Sequence, residues 1–406
     1  MRDISPIGTP FHARTAAMNQ TTWWYGWNGY LIPDVYCDPA IELQAVRNTV
    51  AAVDMSPLPK FEIRGKDASR LVDRLITRDA TQLEVGQIFY TPLCNEAGKL
   101  IADGLVFHTA PDVYRFSMDN CYLWMLEHAT GLKVGVSDVT NAYGILALQG
   151  PLSRRVVEEA VGTSVEDLTF SRLRQAKIGC KTVDLARQGF TGELGFEIWV
   201  RREDGAQVWD AIMAAGEAYG IQPAGEYAID IARVEAGMIV ISADYTGAGP
   251  DPRCADLPVD YEHVASPFEV GLGRFVDLNK QDFIGRQALL EEKNRETTRQ
   301  LVGLELDWHE IVSQYIQIGL PPDISPRVRW DALQVLKDGE KIGRATSLTW
   351  SPTLNKMIGF GCLEDRYTSQ GSTVHVHWPV AGQFVDTPAV VTGLPFLRRR
   401  RSTSTS

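Results

Sequence analysis

Between residues 38 and 54 the chain reads DPAIELQAVRNTVAAVD, and Ile41, Val46, Val50 and Val53 recur there at helical spacing behind an Asp-Pro start. That spacing predicts a helix over 38–54. Alternation takes over in KFEIRG (60–65), a short strand, and helical period returns in DASRLVDRLIT (67–77). DVYRFSMDN (112–120) alternates again. The same grammar recurs at 181–215, where KTVDLARQG and FEIWVRR read as strands and DGAQVWDAIMAAGEAYG as an amphipathic helix closed by Gly220.

Strand pairs interleaved with helices, without a regular βαβ rhythm, predict α+β domains rather than one doubly wound sheet. A charged helix, QALLEEKNRETTRQ (287–300), marks a boundary before a fresh strand, LVGLELDW. From there to 396 the pattern is short strands and turns (GEKIGRATSLTWSP, GSTVHVHW, TPAVVTGLPF), a small β-barrel or sandwich. YTGAGPDPRCADLP (245–258) reads as a long loop of the kind that often carries function. No period of 20–50 residues repeats, which excludes solenoids and propellers.

Composition narrows the classes. At 406 residues the chain exceeds what one hydrophobic core usually serves, so two or three domains are expected. The net charge of −11 argues against a nucleic-acid partner, which would need a basic face. The one dense basic run, Arg398–Arg401 beside STSTS, reads as a disordered, solvated tail over 397–406. Six scattered cysteines with no C-x-x-C pair argue against zinc ribbons, iron–sulfur sites and disulfide scaffolds. The N-terminus shows no secretory signal and no stretch is long enough to span a bilayer, so a cytoplasmic protein without a membrane partner is expected.

The candidate chemistry is sparse. His375 and His377 share one side of a strand, but with no third ligand near in sequence they read as barrel histidines, and no metal is expected. H-E-x-x-H, G-x-S-x-G, P-loop and G-x-G-x-x-G patterns are absent. WWYGWNGY (23–30) crowds aromatics around Gly26, either as core packing or as a cage for a methylated cation. In ARQGFTGELGFEIWV (186–200), Glu197 and Trp199 fall on one strand face. A carboxylate beside an indole suits a flat heterocycle with N–H donors, such as a pterin, although a solvated edge glutamate would look the same. Asp103, in NEAGKLIADG (95–104), either carries chemistry or shapes a turn.

QIFYTPLCNEAGKLIADGLVF, GFTGELGFEIWV, IQPAGEYAIDIARVEAG and SPFEVGLGRFVDLNKQDFIGRQAL resemble successive blocks of the aminomethyltransferase (glycine-cleavage T-protein) family, over roughly residues 20–290. GRATSLTWSPTLNKMIGFG resembles its C-terminal barrel segment. The resemblance implies a three-domain cloverleaf with tetrahydrofolate as co-substrate. Its domains would be 1–55 with 140–245, then 56–139, a connecting segment 246–299, and a barrel at 300–396. It makes Asp103 the catalytic residue, matching the second Asp of the N-E-x-G-G-x-x-D-D block. Tyr90, Glu197 and Arg233 match folate-site positions, and Phe190 stands where the T-protein has tyrosine.

Departures accompany the match. Lys99 and Ala102 replace the block's second glycine and first Asp, SPL (Ser56–Leu58) stands for SHM, and Asp119 for an expected Asn. They suggest the demethylase branch, typified by dimethylsulfoniopropionate demethylase. The expected reaction is methyl transfer from a small sulfonium, quaternary ammonium or aryl methyl ether donor to N5 of tetrahydrofolate. Trp24, Trp27 and Trp199 would then wall the donor. The alternatives are T-protein-like aminomethyl transfer from a carrier protein, or a non-catalytic folate-binding accessory role.

Overall fold

The structure, a computed structural model, describes residues 6–119, 121–249, 264–295, 298–325 and 327–397. Contacts divide it into two compact units. The first holds the described residues up to Thr91 together with Ala102–Ala232, and the second holds Pro92–Ile101 and the described residues from Arg233 to Leu397. The expected basic tail (apart from Leu397) and most of the 245–258 loop lie outside the described residues.

The first fourteen strands begin with β1 (Ile7–Gly8), β2 (Trp23–Trp27), β3 (Tyr30–Val35), β4 (Val50–Asp54) and β5 (Lys60–Arg64). There follow β6 (Ile88–Cys94), β7 (Leu100–Ala110), β8 (Val113–Met118), β9 (Gly135–Asp138) and β10 (Tyr143–Gln149). The last are β11 (Leu173–Ile178), β12 (Lys181–Ala186), β13 (Gly195–Arg201) and β14 (Ile221–Pro223). They form a small sheet β1-β3-β2, a six-stranded sheet β11-β12-β13-β10-β4-β14 and a five-stranded sheet β6-β7-β8-β5-β9.

Side-chain alternation explains how the six-stranded sheet packs. Val50, Ala52, Leu146, Leu148, Phe196, Ile198 and Val200 point to one face, where Val156, Val157, Val208, Trp209 and Ile212 of helices Ser153–Val161 and Gly205–Gly216 cover them. Burying each of these larger side chains contributes about 1.5–3 kcal/mol. Ile145 and Trp199, on the opposite face, pack with Ile88 and Phe107 of the five-stranded sheet, so the two sheets share a layer of side chains. That layer positions the site.

One sequence expectation needs correction. The helix predicted over 38–54 stops at Asn48, and Val50–Asp54 is β4. Asp38 caps the helix as anticipated, accepting from the backbone N–H of Ala40 and Ile41. Thr49 then leaves helical geometry at φ −130° and ψ −108°. All five residues of β4 are buried because it lies between β10 and β14, and a strand covered on both faces is apolar throughout rather than alternating. Ile41, counted with the apolar face, is 56% exposed.

In the second unit β15 (Arg299–Leu306), β16 (Leu333–Lys337), β17 (Glu340–Ser351), β18 (Lys356–Glu364), β19 (Thr373–Val380) and β20 (Gln383–Thr392) close into a barrel, completed by the β15–β20 pair. Leu304, Val335, Ile342, Leu363, Val376 and Val391 fill it. The reading of this region as mostly short strands does not single out the helix Trp308–Gln317, whose Ile311 and Tyr315 join the barrel core. Its N-cap, Asp307, accepts from the backbone of Glu310. His377 is held by Asp386 at 2.8 Å and stacks on Phe384. Among the described residues no helix is long and apolar enough to cross a membrane.

Candidate active site

Asp103 does not end a turn. The turn closes earlier, where Asn95 Oδ1 accepts from the backbone N–H of Ala97 and Lys99, and Gly98 takes a φ of +71°. Asp103 stands inside the eleven-residue β7, half-buried, and Tyr90 of β6 donates its hydroxyl to Asp103 Oδ2. Gly104 beside it is required sterically, since a Cβ there would run into Met118 and the Ser117 carbonyl of β8. Ala102, which stands for the first Asp of the family block, is buried on the opposite face of β7.

Registers place the remaining groups in rows across the shared layer. Phe107, Arg115 and Glu62 form one row, because Phe107 pairs with Arg115 and Arg115 with Glu62. That row meets Trp199: Phe107 lies edge-on to its ring at 4.9 Å, and Arg115 bonds Asp184, the strand partner of Trp199. Leu105, Ser117 and Lys60 form the next row. Asp103 lies one row further. In the opposite direction Arg64 and Arg201 line a cleft of about 870 Å3 that also reaches Trp199, Tyr143 and Arg115. Trp199 thus both lines the cleft and donates its indole N–H to Glu197.

Glu197 is buried, and burial pushes its carboxyl up to about 7. Trp199 Nε1 donates to its Oε2 at 3.2 Å, and among the described residues Oε1 has no hydrogen-bond donor. The loop before β13 is fixed from two sides. Arg47, itself buried, donates to the Thr191 carbonyl and to Glu193, while Thr191 Oγ1 donates to Gln149. Phe190 sits half-buried in that loop. A carboxylate with one free oxygen, on a rigid strand, fits the paired N–H groups of a pterin edge.

The other predicted residues are distributed differently. Trp199 is in the inter-sheet core, 2% exposed. Trp24 and Trp27 lie on β2 opposite Pro33 and Tyr30, three positions apart and so on opposite faces, and the structure does not bring them onto one wall. Trp24 packs against His12 at 5.4 Å. Arg233 belongs to the second unit, where it is 4% exposed and donates to Asp244 at 2.7 Å and to Ser347 Oγ at 2.7 Å. Asp244 also accepts from Thr346 and Ser347. Lys99 is ion-paired with Glu269 in the same unit.

Comparison with known proteins decides the family. The model of the GCVT N-terminal domain matches residues 11–280, and that of the glycine cleavage T-protein C-terminal barrel domain matches 316–397. The chain belongs to the glycine-cleavage T-protein family. It is 32% identical over 355 residues to an aminomethyltransferase of Clostridium botulinum (strain Loch Maree / Type A3), covering 86% of this chain and 87% of that one. An aminomethyltransferase of Alkaliphilus metalliredigens is also 32% identical, over 86% of this chain and 87% of its own. The fold matches the crystal structure of glycine cleavage system aminomethyltransferase T from Bartonella henselae with a TM-score of 0.80, at 21% identity, over 98% of this chain and 99% of that one. The family is one of tetrahydrofolate-dependent one-carbon transferases, and the α+β fold with a closed C-terminal barrel is that of its T-protein members.

Sequence reasoning missed Lys60, which is fully buried and donates to the carbonyls of Ser56 and Leu58. A lysine opening an alternating strand reads as a solvated edge residue, and only the packing of a second sheet over it shows otherwise.

Proposed function

We propose that this protein transfers a one-carbon unit to N5 of tetrahydrofolate, and that the unit is an aminomethyl group delivered by a carrier protein. The names of its relatives support the donor class. The observations that carry the site are the hydrogen bond from Tyr90 to Asp103 and the buried Glu197 of the same unit, whose one described donor is the Trp199 indole. In this reading Glu197 accepts from the amino and ring N–H groups of the pterin. Asp103, its carboxylate oriented by Tyr90, lies toward the reacting nitrogen. As the N5–carbon bond forms and the carbon's bond to the carrier breaks, Asp103 takes up the proton released from N5 and the carrier leaves protonated. N10 then attacks the same carbon and displaces the amino group, which departs as ammonia with the N10 proton and closes the 5,10-methylene bridge. Fixing both ends of the pterin replaces a bimolecular search by a held geometry.

A second reading is methyl transfer from a small sulfonium, quaternary ammonium or aryl methyl ether donor. It is favoured by Ala102 and Lys99, because the first carboxylate of the family block is absent and the adjacent lysine is committed to Glu269. A sulfonium methyl leaves without proton transfer at the donor, so one carboxylate would suffice.

The test is product identification by mass spectrometry, with tetrahydrofolate and donors of both classes, for wild type and Asp103→Asn. A 5,10-methylene product that depends on Asp103 is the expected result. A 5-methyl product would move the assignment to the second reading. Absence of either product despite folate binding would overturn both in favour of an accessory role.

A further inference from the structure

The cleft beside Trp199 belongs wholly to the first unit, and the folate reading uses none of its charged groups. Arg64 reaches it from β5, Arg115 from β8 and Arg201 from β13. Its volume of about 870 Å3 lies in the range of small-molecule sites, roughly 300–1,000 Å3.

Five cations line the cleft, and four of them are matched by carboxylates. Arg64 bonds Glu62 at 2.9 Å, Lys181 bonds Asp204 at 2.5 Å and Arg174 bonds Asp167 at 2.7 Å. Arg115 donates to Asp184 at 2.9 Å and to the Tyr143 hydroxyl at 3.1 Å. The fifth is Arg201, which among the described residues has no carboxylate partner. Its guanidinium carbon lies 4.4 Å from the centre of the Tyr143 ring, and that of Arg115 lies 4.3 Å from the same ring. Stacking on the aromatic face restrains Arg201, although it is exposed, and leaves its N–H fork available. On a chain of net charge −11, this cleft therefore carries an uncompensated positive charge at a defined place.

Much of the remaining wall is apolar. Val85, Val113, Val139 and Leu173 line it, and Val85 is 50% exposed. A carboxylate matches a guanidinium fork with two parallel hydrogen bonds and cancels its single charge. A phosphate dianion would leave one negative charge unmatched.

We propose that this cleft is a second ligand site, taking a monocarboxylate with an apolar body and holding its carboxylate on Arg201. The site stands whichever one-carbon unit the protein transfers, because none of its charged groups serves the folate.

The experiment titrates the whole protein at pH 7 with 4-fluorobenzoate and with neutral 4-fluorobenzamide, read by fluorine NMR. Wild type, Arg201→Gln and Arg14→Gln are compared, with folding checked by circular dichroism. Arg14 lies outside the cleft, so its variant removes the same charge elsewhere in the unit. Wild type and Arg14→Gln should bind 4-fluorobenzoate saturably and alike. Arg201→Gln should bind it about five- to tenfold more weakly, and wild type should bind the amide more weakly by a similar factor. Acetate should displace the probe only at roughly tenfold or greater excess, for want of an apolar body. Inorganic phosphate should compete no better than acetate, and saturating tetrahydrofolate should leave the probe bound. Equal binding of acid and amide, or an Arg201→Gln titration equal to wild type, would overturn the proposal. So would displacement by tetrahydrofolate, which would make the cleft part of the folate site. Should Arg201→Gln not fold, the comparison of acid with amide on wild type decides alone.

Discussion

Tyr90 and Asp103 meet across β6 and β7, the phenol donating to the carboxylate. Removing that donor while keeping the ring isolates its contribution. Tyr90→Phe should lower kcat about 10- to 100-fold, the effect of a hydrogen bond to a charged group worth about 1.5–3 kcal/mol, and leave KM nearly unchanged. A proportional rise in KM would show that the hydroxyl binds substrate instead. At this scale the sequence was legible where a residue type is unusual for its place. Glu197 beside Trp199 stands out on its own, while Asp103 stays between a turn and chemistry until the resemblance singles it out. Lys60 and Arg47 do not stand out, since their surroundings come from chain segments far away in sequence: Lys60 pairs with Ser117 of β8 and Arg47 donates to a carbonyl 144 residues on.

At the scale of elements, the break between the helix Pro39–Asn48 and β4 was hidden because Val46, Val50 and Val53 keep helical spacing across it. A strand buried on both faces carries no alternation to betray it. Gly104 shows the opposite case, where a single residue states how two strands approach. Gly104→Ala should cost about 1–3 kcal/mol by overpacking β7 against β8. Gly135→Ala, whose added carbon meets nothing closer than 4.0 Å, should stay within about 0.5 kcal/mol. Urea unfolding of both variants checks the contrast, and equal stabilities would contradict the register. In the second unit Arg233 and Asp244 tie the end of a helix to β17 through Thr346 and Ser347. Arg233→Met leaves Asp244 buried without its counter-charge and should cost about 3–5 kcal/mol, read as a lower melting temperature. A melting temperature equal to wild type would show the pair to be dispensable.

Across the whole molecule, the family blocks name the fold because they recur in order; strand spacing alone leaves the C-terminal region as a barrel or a sandwich, and the resemblance chooses the barrel. Each block alone is weak. The donor could not be read: the residues singled out for it, Trp24, Trp27 and Trp199, fall on opposite strand faces and in a core, and their spacing in sequence carries no information on that. Ligand linkage offers a global check. Tetrahydrofolate at 100 times the wild-type Kd should stabilise wild type by about 2.7 kcal/mol and Glu197→Gln, at the same concentration, by only about 0.4–1.4 kcal/mol. A like shift in both proteins would place the ligand elsewhere. The most direct measurement is tetrahydrofolate affinity, by calorimetry at pH 7, set beside single-turnover product formation for wild type, Glu197→Gln and Asp103→Asn. Glu197→Gln should lose affinity by roughly 10- to 100-fold. Asp103→Asn should bind close to wild type and lose about 10²- to 10⁴-fold in turnover. Full turnover by Asp103→Asn, or wild type that binds no tetrahydrofolate, would contradict a site that divides grip and proton handling between these two carboxylates.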